Sequence, residues 1–264
     1  MKSLSPVAQA AVNVLLFAAA LTVNMLSAMG VGIFVSQRTI SDRHVSWLTP
    51  DYFAFRIWTV IYILLAALLV LQCLPSSRDK PNLVWIFVFS AEWISFSTIV
   101  LAAMVFSLYP AYRSIARINA SSPNWRDFML IEVPVALYLG WIIPSTFANL
   151  MAAGSRATPE FEAQAIAVLC VPFAIVSTIS FMEKCPVPLL STAWSVFAIG
   201  FKWKDVPGGA VSPFCFAVTG VLVAEAVFTG IWRAKVVTTK LKDLRGFADL
   251  DDTRSESSRS TSSV

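Results

Sequence analysis

The chain has 264 residues, 57% hydrophobic and 14% charged, with a formal net charge of +4 and a mean hydropathy of +0.70. A water-soluble domain carries about a quarter charged residues, so these values exclude an ordinary soluble globule and predict an all-α, polytopic transmembrane helix bundle. The basic excess lies in short loops and the C-terminal tail, where it reads as a topology signal and not as a nucleic-acid surface.

Apolar segments run at about 9–35, 53–75, 84–109, 128–152, 163–182, 187–201 and 211–232. A helix rising about 1.5 Å per residue needs roughly 20 residues to cross the hydrocarbon core, so all but 187–201 qualify singly. The first segment follows a single basic residue, Lys2, and exceeds the 7–15 residues of a signal peptide's apolar region, so a retained span is expected. The stretch 84–109 is generous for one tilted helix and short for two, with no glycine or proline near its middle. The span count is therefore seven or eight. Seven spans put eleven Lys and Arg on the cytoplasmic side and six outside; eight put twelve inside and five outside. Both arrangements obey the positive-inside rule and give a cytoplasmic C-terminus, while the side of the N-terminus and the organelle stay open.

Four cysteines, Cys73, Cys170, Cys185 and Cys215, form no CxxC pair, and His44 is the only histidine. Zinc or haem ligation has no support in that pattern. Neither a Ser-His-Asp set nor a glycine-rich phosphate loop is available, and Pro207-Gly208-Gly209 reads as a turn. The expectation is a protein with no cofactor, no metal and no catalytic activity.

Arg56, Glu92, Glu132 and Glu225 fall in or beside apolar runs. A charge at mid-membrane costs at least about 2.5–3.5 kcal/mol on insertion scales, so each requires a reason. Arg56 and Glu132 lie near helix ends, where they are expected to snorkel or stay wet. Glu92 and Glu225 are deeper, and two readings stand: a proton relay, or protonated carboxyls bonded between helices.

Trp47, Trp85, Trp125, Trp203 and Trp232 lie near span ends, as expected of interfacial rings, while Trp58, Trp93, Trp141 and Trp194 lie within spans. Phe55, Trp58 and Tyr62, spaced by three and four, share one helical face. Tyr138, Trp141, Ser145 and Asn149, spaced by three, four and four, share another. Lipid offers such faces no hydrogen-bond partner, so both are expected to point into the bundle.

Beyond the last span, Arg233, Lys235, Lys240, Lys242 and Arg245 are expected against anionic headgroups. From Arg254 the serine-rich run cannot bury enough apolar surface to order itself, and a disordered tail is expected. Its serines are candidate kinase targets, and Ser262-Ser263-Val264 has the form of a PDZ-groove ligand.

Thr49-Pro50, Ala54-Phe55, Ile57-Trp58 and Ile61-Tyr62 resemble the start of the second helix of the translocator protein family, also called the tryptophan-rich sensory protein or peripheral benzodiazepine receptor-like family. Tyr138-Leu-Gly-Trp141, with Thr146 and Asn149, is similar to that family's fifth-helix pattern. Val23-Asn24 and Ile40-Ser-Asp-Arg43 look like the larger members of the group, and the likeness covers about residues 13–150. Three positions depart from the pattern: Ser90 stands where the third helix usually has Asn, Pro50 stands alone instead of paired, and Pro144 replaces an aromatic and should kink its helix. The resemblance implies a five-helix core over 1–152, favouring a split near residue 95 and hence eight spans. Additional helices over 153–232 and the tail over 233–264 complete the expected organisation.

The resemblance also implies a cavity between helices, open near Pro50, that binds, senses or helps move a lipophilic planar molecule such as a porphyrin or a sterol. Carried over position by position, its wall comprises Asn24, Pro50, Phe55, Trp58, Tyr62, Trp93, Tyr138, Trp141 and Asn149. The alternatives are a proton-coupled solute transporter working through Glu92 and Glu225, and a membrane scaffold whose tail recruits partners. Expected partners are the bilayer, a second copy of the chain, and a PDZ-type domain or kinase at the tail.

Overall fold

The computed structural model describes residues 6–31, 37–73, 94–154 and 156–261. Their secondary structure is helical throughout: α1 Pro6–Met29, α2 Gln37–Arg43, a 3-10 turn Tyr52–Arg56 leading into α3 Ile57–Cys73, and α4 Ile94–Ser121. A short α5 Trp125–Asp127 and a π-helical turn Phe128–Glu132 open α6 Val133–Gly154, followed by α7 Glu162–Glu183, α8 Val187–Lys202 and α9 Val211–Thr261.

The protein is a transmembrane helix bundle. Five helical stretches are long and apolar enough to cross a membrane: Tyr52–Val70, Thr98–Ser121, Trp125–Gly154, Pro159–Glu183 and Val211–Lys240; Ala11–Leu26 and Val187–Lys202 are shorter apolar helices. Of the apolar stretch 84–109, the described part belongs to α4, which runs from Ile94 through Pro110 to Ser121. Glu92, Trp93, Ser90 and Trp85 lie outside the described residues.

α6 is the central helix. Its span is 61% buried against 28–33% for the other four, and Tyr138 to Pro144 are buried without interruption. A helix apolar on every side has no lipid face to spare and is enclosed by its neighbours, here α3, α4, α7 and α8. α8 comes close to its backbone. A Cβ built on Gly140 would lie 2.5 Å from the carbonyl oxygen of Pro188, so only glycine permits the approach.

Pro144 continues α6 but has no N–H for the carbonyl of Gly140 four residues before it. Thr192 Oγ1 of α8 donates to that carbonyl at 2.8 Å, and Ser191 Oγ donates to the carbonyl of Leu137 at 2.8 Å. In a membrane a freed carbonyl must find its partner within the protein. The proline expected to disturb α6 therefore fastens it to α8.

At the C-terminal end α9 continues as helix as far as Thr261, where composition predicts disorder. Acids stand three residues before bases at Asp251 and Arg254 and at Glu256 and Arg259, a spacing that supports helix.

Candidate functional site

The site is built from a loop upward. Ser46 and Thr49 close a buried turn, with the Ser46 N–H donating to Thr49 Oγ1 at 2.8 Å and the Thr49 N–H to the Ser46 carbonyl at 2.9 Å. Half-buried Pro50 follows. The Asp51 N–H donates to the Ala198 carbonyl of α8 at 3.0 Å, and its carboxylate accepts from the Phe53 N–H, capping the 3-10 turn. Trp194 Nε1 donates to the Ala54 carbonyl at 3.0 Å. The start of α3 is thus tied to α8, which fixes the direction in which Phe55, Trp58 and Tyr62 project.

Those three rings meet the face of α6. Trp58 stacks on Tyr62 with centroids 5.6 Å apart, stands edge-on to Tyr138 at 5.7 Å and to Trp141 at 6.2 Å, and Phe55 meets Trp141 edge-on at 6.3 Å. Stacked and T-shaped pairs satisfy the ring quadrupoles and contribute about 0.5–1.5 kcal/mol each beyond buried area. Tyr138 and Trp141 are buried and Phe55, Trp58 and Tyr62 half-buried. Both aromatic faces read from spacing alone therefore turn inward and onto each other.

Two other residues expected at the site lie beyond the ring cluster. Asn149 is half-buried and eight residues past Trp141, about 12 Å along α6 toward the Pro50 loop. Asn24 is half-buried on α1, seven residues past Phe17, whose ring meets Tyr62 at 6.3 Å. Ser145 and Thr146 turn to their own helix, donating to the carbonyls of Trp141 and Ile142. Glu225, half-buried on α9, accepts from Ser177 Oγ of α7 at 2.7 Å, away from the ring cluster.

Some positions differ from their expected environment. Glu132, expected near water, is fully buried. Both its oxygens accept from Arg233, Oε1 from Nη1 at 2.6 Å and Oε2 from Nη2 at 2.7 Å, and Asn119 Nδ2 donates to Oε2 at 2.6 Å. Arg233, expected among headgroups, turns inward and lies over the Phe128 ring at 4.3 Å. A buried carboxylate is tolerable only with such compensation. Trp47, expected at the lipid interface, is 5% exposed; it packs on Trp203 at 4.7 Å and donates to the Thr158 carbonyl.

Sequence reasoning missed Phe17 and a second aromatic group, in which Phe53 meets Trp194 and Phe201, each at 5.4 Å. Phe197 and Phe201 are four apart on α8, a signal available in the sequence. The Glu132–Arg233 pair spans 101 positions and leaves no local signal.

No curated protein and no solved structure shows significant similarity to the chain. The profile of the TSPO-like protein family matches residues 10–84 and 81–228. The second match runs well past residue 152, so α7, α8 and the first part of α9, read from the sequence as additions to a family core, fall within the matched region. The chain belongs to the TSPO-like protein family.

Proposed function

We propose that the protein binds a flat, lipophilic small molecule, of tetrapyrrole or sterol type, against the aromatic wall of α3 and α6, and senses it or helps move it within the bilayer. The observation that carries this reading is the meeting of five rings from helices 80 residues apart, centred on Trp58 and Trp141. Flat apolar ligands suit aromatic faces, and a few polar groups at the rim orient them. Asn24 and Asn149 supply those groups near Pro50, the side from which the ligand enters. The rings fill the space between the helices themselves, so binding requires α1 to shift from α3, against which it packs, exposing the Tyr62 and Trp58 faces.

The reading includes a cytoplasmic C-terminal side. Seven basic and three acidic residues lie at that end, within 113–132, 183–184 and 233–240. Six basic and five acidic residues lie at the other, within 38–56, 156–162 and 202–205. The positive-inside rule assigns the richer end to the cytoplasm.

The test is a titration of the purified protein with protoporphyrin IX and with cholesterol, followed by tryptophan emission. Saturable quenching is expected, weakened up to about tenfold in affinity by Trp58→Leu, since a stacked ring face contributes about 0.5–1.5 kcal/mol beyond buried area. Trp125→Leu, at an exposed ring remote from the cluster, leaves affinity unchanged. Absence of saturable binding for both ligands would sink the reading.

A further inference from the structure

The C-terminal end of the bundle carries more positive charge than its own carboxylates neutralise. Arg233 is paired with Glu132, and Arg113 with Glu183 at 3.3 Å. Asp127 accepts from Asn124 Nδ2 at 3.4 Å. Arg117, Arg126, Lys184, Lys235 and Lys240 have no carboxylate within ion-pair distance among the described residues. At the opposite end acids and bases nearly balance.

Two of these cations lie at the same end of α4. Lys240 Nζ donates to the carbonyl of Ala120, bringing α9 against the end of α4 and leaving two of its three N–H donors free. Arg117 stands three residues before Ala120, on the same face of α4, and is exposed. Its guanidinium offers a planar fork of donors suited to a phosphate. α4 ends here, at Ser121, α9 has passed the end of its apolar run at Trp232, and Trp125 beside them is 73% exposed, as a ring in the interfacial belt is. The cations thus stand at the depth of lipid phosphates.

We infer that Arg117 and Lys240 hold the phosphate of an anionic lipid headgroup where α9 reaches the end of α4. The inference does not depend on the aromatic site. A tightly held lipid there would bridge the two helices where Arg233 and Glu132 already join α9 to α6.

The experiment uses the full chain in nanodiscs of phosphatidylcholine with and without phosphatidylserine, extracted in mild detergent, with retained lipid read by native mass spectrometry. Preferential retention of phosphatidylserine is expected, weakened roughly fivefold by Arg117→Gln and again by Lys240→Gln. Strong salt suppresses it in the unaltered protein, a readout that needs no variant to fold. Lys202→Gln with Lys204→Gln, at the opposite end, leaves it intact. Equal retention of both lipids, a preference that survives the Arg117→Gln and Lys240→Gln pair, or one insensitive to salt would overturn the inference. So would displacement of the lipid by inorganic phosphate, which would make the site one for free anions.

Discussion

Arg233, on the last helix, grips both carboxylate oxygens of Glu132 at 2.6 and 2.7 Å, joining α9 to the π-helical turn that opens α6. Asn119 of α4 completes the carboxylate's shell, so three helices converge on one buried anion. The arrangement stabilises as a unit: each charge is acceptable only because the other is present.

Arg233→Ala leaves that carboxylate buried and unpaired, and is expected to destabilise the fold by about 3–5 kcal/mol. Replacing both partners with apolar residues, Glu132→Leu with Arg233→Met, removes the uncompensated charge and is expected to recover most of the loss. Unfolding midpoints in detergent compare the three proteins. A double variant as unstable as Arg233→Ala would show that the helices are held by something other than this pair.

Gly140→Val drives a side chain into the Pro188 backbone, 2.5 Å from where the Cβ must sit. Separation of α6 from α8 is expected, with a loss of about 1–3 kcal/mol or more from overpacking. Gly220→Ala, at a position with nothing within 4 Å, serves as the neutral comparison. Heat-induced aggregation from detergent ranks the two, and equal behaviour would remove the close approach as a constraint.

Thr192→Val keeps the shape of the side chain but withdraws the hydroxyl from the Gly140 carbonyl that Pro144 has freed. Interhelical hydrogen bonds in membranes contribute about 0.6 kcal/mol on average and up to about 1.7, and this one should fall at the high end. Its removal in a Pro144→Ala background is expected to cost less, because the restored N–H satisfies the carbonyl. Additive losses in that double-variant cycle would show that Thr192 does not serve the carbonyl freed by Pro144.

Cys185 lies in the turn between α7 and α8 and is completely buried. Desolvation first, and then the nearby Glu132 carboxylate, push its thiol from 9.0 up to about 12. The folded protein keeps a proton that the unfolded chain releases near pH 9, so stability is unaffected below that and falls as pH rises from about 9 toward 12. Iodoacetamide, which needs the thiolate, is expected to spare Cys185 at pH 8 until the protein unfolds. Peptide mapping after labelling decides the point, and modification of the folded protein would count against it.

Much of the ring cluster was legible from spacing. Phe55, Trp58 and Tyr62 share a face because three- and four-residue steps bring side chains back to the same side of any helix, and the same holds for Tyr138 and Trp141. Their apolar setting required them to turn inward, and the structure has them do so. Trp47 shows the limit of that reasoning. Its position beside a span suggests the lipid interface, yet the 156–161 and 202–206 loops fold over it.

The sequence alone determined that the chain forms membrane-spanning helices and which stripe on each is aromatic, because hydropathy and helical repeat are properties of neighbouring residues. Only the tertiary structure decided that α6 is central, that Thr192 serves the carbonyl freed by Pro144, and that Glu132 meets Arg233. Those outcomes depend on which helix packs against which, at what depth and rotation, and such pairings arise from shape and buried charge across many tens of residues.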